Sequence, residues 1–214
     1  MNHISLLDVP VVFICPDHIE KYRERKVYMF DFFKKLGFKN VSMYKSGTDA
    51  YPRCLAEATY HAIAAHCHND EPFILLEDDV ELCEWVERLD VLDVPADADG
   101  FYLGYGKYAG HPTENWALGY DSYKLEVLND THVRVWNMLG AHAIMFITRG
   151  FKKAVMDVMK KIVYESNGYF PDVAVSRLQP IFNIYAYKYP FFYQSDKLGN
   201  DPFYPKDATN FRLL

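Results

Sequence analysis

The first 80 residues alternate apolar runs of strand length with segments of helical periodicity, and this order constrains the fold more than any other feature. Residues 9–15 and 73–76 are continuous apolar runs, as expected of strands buried on both faces of a sheet, and residues 38–44 form a strand-like segment between them. Apolar residues at helical spacing occupy residues 17–36 and 48–65, which separate these strands. The βαβαβ order predicts a parallel sheet with right-handed crossovers.

The second half of the chain predicts a mixed sheet rather than a continuation of this pattern. Its expected elements are a strand at residues 101–103, a hairpin made of 124–128 and 132–136, a strand at 141–147, a helix from Thr148 to Asn167, and a strand at 181–187. Residues 104–121 are rich in Gly, Tyr and polar side chains, which is typical of a loop. Because no repeat or flexible linker divides the chain, we expect a single α/β domain over residues 1–214, with a mixed, mainly parallel central sheet flanked by helices.

Size and charge exclude several classes of protein. A chain of 25.0 kDa buries about 70% of its unfolded surface, and its 50% hydrophobic and 24% charged residues exclude a disordered chain. A net charge of −6 argues against a general nucleic-acid binder. No apolar run approaches the ~20 residues of a membrane helix, no secretory signal is visible, and the four cysteines form no C-x-x-C pair. We therefore expect a soluble cytoplasmic protein with reduced cysteines and no membrane span.

Three consecutive acidic residues, Glu77, Asp78 and Asp79, directly follow the apolar run at 73–76. In an open α/β sheet, ligands bind beyond the carboxyl ends of the strands. Carboxylates crowded there repel one another unless a cation lies among them, and Mn²⁺ or Mg²⁺ fits because it prefers oxygen ligands and keeps positions open for phosphate. On an extended chain Glu77 and Asp79 point one way and Asp78 the other. The cluster predicts a metal-dependent site, although an acidic turn or the first turn of a helix has the same composition.

A second acidic motif, Asp97-Ala98-Asp99, has the literal D-x-D spelling but a different position. It precedes the strand at 101–103, so it belongs to the opposite edge of the sheet. Pro95 and Gly100 flank it, which is typical of a solvated turn. Because only residues 77–79 follow a strand, their position favours them over residues 97–99 as the functional acidic motif.

The remaining chemical motifs are weaker. His61 and His66 are five residues apart, not the four that place two ligands on one helix face, so we do not expect a zinc site there. The sequence contains no P-loop, no G-x-G-x-x-G after the first strand and no G-x-S-x-G elbow. His142 lies in the strand at 141–147, where a histidine more often packs in the core than binds a metal. Asp172 follows Pro171 in an expected loop after the last helix, and its residue type alone is typical of a helix N-cap.

Residues 73–82 (FILLEDDVEL) resemble the strand and acidic motif of glycosyltransferase family 25, the lipooligosaccharide-biosynthesis type with the GT-A fold. Fainter similarities follow in the family's order, at Cys54 and His61, at 140–150 with the following helix, at Pro171-Asp172-Val173, and at Gln194-Ser195-Asp196. The chain is also similar in length to the glycosyltransferase domains with which chlorella viruses glycosylate their capsid, which leaves open that it is one domain of a longer polypeptide. One difference is that Ile14-Cys15-Pro16-Asp17 stands where the bacterial family has an Asn-Leu-Asp-Arg-like stretch.

The resemblance implies a Mn²⁺- or Mg²⁺-dependent enzyme that moves rhamnose, glucose or galactose from a UDP-sugar to a glycan or glycoprotein acceptor. It implies that residues 1–100 bind the nucleotide sugar and residues 101–214 the acceptor. Asp79 would be the principal metal ligand, with His142 as a second candidate, and Asp172 the base that deprotonates the acceptor hydroxyl. The implied nucleotide-sugar contacts are Cys15, Pro16, Tyr44, Arg53, Glu77 and Asp78, and the implied acceptor contacts are Tyr105 and Trp116.

Alternatives stay open at this stage. Arg23 and Arg25 on the first helix could face the phosphates, but we expect both to be exposed surface residues. The aromatic residues of 104–121 could pack over the sheet instead of stacking on a sugar. The acidic cluster also suits a metal-dependent phosphoesterase or pyrophosphatase, and the aromatic loops suit a non-catalytic carbohydrate-binding module. The sequence indicates neither the stereochemistry of transfer nor the oligomeric state.

Overall fold

A computed structural model describes residues 1–105, 124–165 and 170–198 of the protein. The helices of this part are α1 (Glu20–Leu36), α2 (Arg53–Ala64), α3 (Arg149–Glu165) and α4 (Pro171–Ser176), and a 3₁₀ helix spans Asp196–Leu198. The strands are β1 (Asn2–Ile4), β2 (Val11–Cys15), β3 (Val41–Lys45), β4 (Phe73–Glu77), β5 (Val80–Leu82), β6 (Leu92–Val94), β7 (Gly100–Tyr102), β8 (Lys124–Val127), β9 (His132–Trp136), β10 (Ala143–Phe146), β11 (Ile184–Tyr187) and β12 (Phe192–Gln194).

Eight of these strands form the central sheet, in the spatial order β3-β2-β4-β10-β7-β11-β9-β8. β2 pairs in parallel with β3 and β4, and β7 pairs in parallel with β11, whereas β9 and β10 are antiparallel to both of their neighbours. Six of the eight strands (β2, β3, β4, β7, β8 and β11) therefore run in one direction. This confirms the expected mixed, mainly parallel sheet flanked by helices.

Buried side chains cover both faces of this sheet. On one face, α2, α3 and α4 pack through residues such as Ile63, Phe151 and Val175 against Val12 and Ile144. On the other face, α1 packs against alternate residues of the same strands. Those contacts join Met29 and Phe33 of α1 to Phe13, Ile74 and Met145. The alternation follows from the two-residue period of a strand, and it produces a sheet buried between two layers.

The two ends of α1 test the sequence signals that predicted its start and its stop. Gly37 has φ of 85°, and its N–H donates to the carbonyl of Lys34, so the expected glycine stop is confirmed. The predicted start of this helix at Asp17 or His18 was wrong. The N–H of Ile19 donates to the Pro16 carbonyl, so Asp17 and His18 lie in a turn before the helix. The Asp17 carboxylate instead accepts a hydrogen bond from Lys26 at 2.9 Å.

Two small sheets lie outside the sequence-based expectations. β1 pairs with β6, and β5 pairs with β12, each antiparallel over three residues. Three residues are too few for a two-residue period to be distinguished from a loop. Within the described ranges, none of the helices has both the length and the apolar character required to cross a membrane.

Lys152 is a fully buried lysine that ties α3 to the loop before β4. Its Nζ donates to the carbonyl of Asn69 at 3.0 Å and to that of Glu71 at 2.5 Å. Desolvation lowers the pKa of Lys152. The ammonium group therefore serves as a donor for two loop carbonyls that approach the core.

We predict that Lys152→Met destabilises the fold, because both carbonyls lose a donor while most of the apolar volume is kept. The expected loss in the free energy of unfolding is about 2 kcal/mol, measured by urea denaturation at pH 7. Lys153→Met is the matched control, since Lys153 is the next residue on α3 and its own side chain is exposed. Equal unfolding midpoints for the two variants would contradict this role.

Candidate active site

The acidic residues lie at the carboxyl edge of β2, β3 and β4. Glu77 ends β4 in register with Ile14 of β2, and Asp78 and Asp79 form the turn that leads into β5. The loops that follow β2 and β3 border this edge before the chain enters α1 and α2. The edge is therefore a cleft formed by loops and supported by buried strands, as expected for a ligand site in an α/β sheet.

Arg25 is the cation of this cleft. Its side chain is 13% exposed, and Nη1 lies 3.0 Å from Asp78 Oδ1 and 3.6 Å from Asp79 Oδ2. Nη2 donates to the carbonyl of Leu198. The carboxylates are themselves only 6% and 5% exposed as residues, so the guanidinium group compensates buried negative charge.

The expectation that Arg25 is an exposed surface residue was therefore wrong. A sequence signal was present, because Arg25 is three residues after Tyr22 and four before Met29, and Met29 is buried in the core. This spacing places Arg25 on the inward-facing stripe of α1. A cation on an otherwise apolar stripe indicates a buried anionic partner.

The surroundings of Glu77 favour the protonated form of its carboxyl group. Desolvation is the main cause that raises its pKa well above the ordinary value, and the negative charges of Asp79, Asp172 and Asp78 add to it. Nε2 of Gln194 donates to Glu77 Oε2 at 2.8 Å and lies 3.5 Å from Asp79 Oδ1. Gln194, to which the sequence assigned no role, thus joins two of the acidic side chains.

Two cavities meet at this cleft. The inner cavity has a volume of about 220 Å³, and its polar lining includes Glu77, Asp172 and Gln194. The outer cavity has a volume of about 410 Å³, and its lining includes Pro16, His18, Arg25, Ser46, Asp49 and Asp78. Tyr51 and Glu77 line both, so the two cavities share a boundary at these residues.

Asp172 lies in the first turn of α4, so its expected position in a loop was wrong. The sequence signal was Pro171, since proline is favoured at the first position of a helix. Oδ1 of Asp172 accepts a hydrogen bond from the N–H of Val173 at 2.8 Å. Desolvation raises the pKa of Asp172, although backbone N–H groups act against this shift. The inner cavity is therefore lined by two carboxyl groups whose pKa values are both raised.

The other predicted nucleotide-sugar contacts are dispersed. Cys15 is buried, and its thiol donates to the Tyr22 carbonyl at 3.4 Å, whereas Pro16 lines the outer cavity. Tyr44 stacks on His61 with ring centroids 5.8 Å apart. Arg53 is half-exposed and pairs with Asp49 at 3.2 Å. Neither Tyr44 nor Arg53 lines the two cavities described here, and their contact with a nucleotide sugar stays a prediction.

The predicted metal ligands do not form one group. His142 is fully buried, and desolvation lowers its pKa to about 4, so the ring is neutral at pH 7. The ring packs against Gly104, where an added Cβ would lie 2.3 Å from Nε2. Asp79 instead faces Arg25 and Gln194. Across residues 1–105, 124–165 and 170–198, no three His, Cys, Asp or Glu side chains converge to hold an ion.

The two predicted acceptor residues have different outcomes. Tyr105 is buried and its hydroxyl donates to the carbonyl of Tyr187, which favours packing over the sheet. Trp116 lies outside the described residues, as do Tyr108 and Tyr120.

The rival motif at residues 97–99 lies before β7, at the opposite edge of the sheet. Asp99 accepts hydrogen bonds from the Thr148 hydroxyl at 2.7 Å and from the N–H of Asn183 at 2.9 Å. Asp97 accepts one from the Tyr185 hydroxyl at 3.1 Å. These aspartates join β7 to α3 and to the loop before β11, which is a structural role.

Fold and site together define an α/β domain with an acidic cleft at the carboxyl edge of its sheet. No protein-family model matches the sequence, and a search of curated proteins finds no significant match.

Three solved structures show a limited overall similarity. A nucleoside-diphosphate-sugar pyrophosphorylase from Vibrio cholerae RC9 is 13% identical, with 85% of this chain and 73% of that chain covered and a TM-score of 0.42. A glycosyltransferase involved in the glycosylation of the major capsid of PBCV-1 is 9% identical, with 74% of both chains covered and a TM-score of 0.44. The CTP:phosphocholine cytidylyltransferase LicC of Streptococcus pneumoniae is 10% identical, with coverage of 88% and 94% and a TM-score of 0.40. Similarity at this level does not identify a family.

We predict that Glu77→Gln stabilises the fold near neutral pH. Because the folded state raises the pKa of Glu77 above 4.5, it retains a proton that the unfolded state loses, and stability falls as pH rises through this interval. Glutamine removes that cost and keeps an acceptor for Gln194. A gain of about 1 kcal/mol corresponds to a melting temperature higher by roughly 2–4 °C at pH 7, and the gain disappears near pH 4.

The control is Glu87→Gln, since Glu87 is exposed. Calorimetric melting of both variants between pH 4 and pH 8 measures the difference. A Glu77→Gln protein that melts below the wild type at every pH would refute the assignment of a raised pKa.

Proposed function

We propose that this protein is a glycosyltransferase that takes a sugar from a UDP-sugar and transfers it to a hydroxyl group of a glycan or glycoprotein. The observation that carries the proposal is that Glu77 and Asp172, both with raised pKa values, line an inner cavity that meets an outer cavity lined by Arg25. Perturbed carboxyl groups in a cleft are typical of catalytic sites. A viral capsid glycoprotein is the acceptor that the sequence resemblance suggests.

In the proposed reaction, the acceptor oxygen forms a bond to the anomeric carbon as the bond from that carbon to the diphosphate oxygen breaks. The acceptor proton passes to Asp172, and UDP leaves with the bonding electron pair. A raised pKa brings the basicity of Asp172 closer to that of a base working near neutral pH. Asp172 is the better candidate for the base than Glu77, because Glu77 is bound by Gln194 and is, with Asp79, a proposed metal ligand.

The outer cavity is the proposed site of the nucleotide diphosphate. Arg25 supplies positive charge at its inner wall, and Asp78 beside it can accept a hydrogen bond from a ribose hydroxyl. The loop at Ser46 and Asp49 lines the same cavity. The phosphates would then face Arg25 while the sugar points to the inner cavity.

Metal dependence is also a proposal. Glu77 and Asp79 are the pair that best fits an ion, because the Gln194 amide nitrogen already lies between their oxygens. Two protein carboxylates with diphosphate oxygens are an ordinary ligand set for Mg²⁺ or Mn²⁺. When bound, the ion would neutralise charge on the departing diphosphate.

We predict that Asp79→Ala weakens binding of UDP-sugars in the presence of Mn²⁺ and lowers transfer in proportion. Calorimetry and UDP release with UDP-rhamnose, UDP-glucose and UDP-galactose, each with and without Mn²⁺, provide the measurement. Asp97→Ala is the matched control, because that exposed aspartate lies at the opposite edge of the sheet. Donor binding that is unchanged in a folded Asp79→Ala protein would refute the metal assignment.

We predict that Asp172→Asn lowers transfer by about 100-fold or more while UDP-sugar binding persists, because the amide cannot accept the acceptor proton. Wild-type activity should rise with pH as Asp172 loses its proton. Asp157→Asn, an exposed substitution on α3, should leave transfer unchanged. Phosphate release from p-nitrophenyl phosphate without any effect of nucleotide sugars would instead indicate a phosphoesterase.

A further inference from the structure

Two exposed aromatic rings lie side by side where the two cavities meet, and one of them, Tyr51, lines both cavities. Tyr51 is 62% exposed and Phe170 is 39% exposed, and their ring centroids are 5.6 Å apart with an interplanar angle of 37°. They come from different parts of the chain, the segment before α2 and the residue before α4. We refer to Tyr51 and Phe170 as the aromatic rim.

The aromatic rim adjoins the catalytic carboxyl groups of the proposed mechanism. Tyr51 lines both cavities, and Phe170 directly precedes Pro171 and Asp172, which line the inner cavity. Desolvation and then the negative charges of Asp172 and Glu77 raise the pKa of Tyr51 to about 12, so its hydroxyl stays protonated and can donate at neutral pH.

Single exposed aromatic side chains are ordinary on protein surfaces, whereas adjoining apolar side chains beside a cavity are typical of a ligand-binding groove. Ligand sites commonly combine such rings with a few polar groups that fix orientation. Glu77 and Asp172 line the same inner cavity as Tyr51, and their carboxyl oxygens can accept hydrogen bonds from hydroxyl donors. An exposed aromatic face beside hydroxyl acceptors is suited to a pyranose ring, whose C–H face is apolar and whose edge carries hydroxyl groups.

We propose that the aromatic rim binds the pyranose ring of the acceptor glycan, with Asp172 and Glu77 accepting hydrogen bonds from its hydroxyl groups. This inference rests on the proposed function and names the acceptor subsite of that same cleft. A nucleobase is the other planar ligand that could stack here. It is less suited because Phe170 adjoins Pro171 and Asp172 of the inner cavity, whereas the proposed nucleotide site is the outer cavity.

Saturation-transfer NMR with the full chain tests the subsite without requiring turnover. The probes are the methyl glycosides of glucose, galactose and rhamnose, together with uridine. We expect transfer from the wild-type protein to at least one glycoside, and loss of about 80–90% of this signal, equivalent to a roughly fivefold to tenfold weaker affinity, in Tyr51→Ala and Phe170→Ala. Tyr51→Phe should retain the signal because the ring remains.

Tyr164→Ala is the matched control, since Tyr164 is 68% exposed on α3. Its signal should equal that of the wild type, and the melting temperature of each variant verifies folding. The proposal is overturned if no glycoside receives transfer, if the signal survives in both rim variants, or if the rim variants lose uridine instead of the glycoside. UDP-sugar turnover is measured separately, so its absence would refute the proposed function even where rim-dependent glycoside binding supports the sugar subsite.

Discussion

The cleft depends on one guanidinium group placed among buried carboxylates. Isolated charges with the low exposure of Asp78 and Asp79 are costly, and the cost is offset only if a cation approaches closely. Arg25 meets this requirement. It lies on α1, which packs on one face of the central sheet, and its guanidinium group contacts the turn that follows β4. Its contact with the Leu198 carbonyl also joins the end of the described chain to the first helix. The acidic turn, α1 and the C-terminal segment therefore share one electrostatic anchor.

A second anchor holds the C-terminal segment over the acidic turn. Glu81 of β5 accepts hydrogen bonds from Tyr193 at 2.5 Å, Ser195 at 2.9 Å and Tyr28 at 3.1 Å. Desolvation acts to raise the pKa of Glu81, but these hydrogen bonds and one from a neighbouring lysine outweigh it and lower the pKa. The N–H of Ser195 donates to the Asp79 carbonyl at 2.7 Å, which fixes the turn from outside. These contacts hold Gln194 in the cleft beside Glu77, although the two residues are more than a hundred positions apart in the chain.

These contacts explain what the sequence could predict. The long apolar runs of β2 and β4 and the periodic helix α3 were predictable because each is specified by its own residues. The role of Gln194 was not, because its partners are distant in sequence and a local pattern contains no such information. The inward position of Arg25 had a local signal on the apolar stripe of α1, but the identity of its carboxylate partners did not. Asp172 lies between these cases. Its residue type and the preceding Pro171 are typical of a helix start, but α4 has only 6 residues and so has no apolar periodicity by which the sequence could define it.

The two pairs of carboxyl groups in the cleft are stabilised in different ways, and this difference suggests a division of labour. Asp78 and Asp79 have Arg25 beside them, and this cation acts to lower the pKa of Asp78, although desolvation outweighs it and raises that pKa. Glu77 and Asp172 form no ion pair in the described part of the chain, and desolvation favours their protonated forms. Carboxyl groups with raised pKa values suit proton transfer but leave the folded state less stable than a neutral lining would. A fold that served only to bind would gain stability by replacing them, so their presence beside exposed aromatic rings favours chemistry at the inner cavity over simple binding.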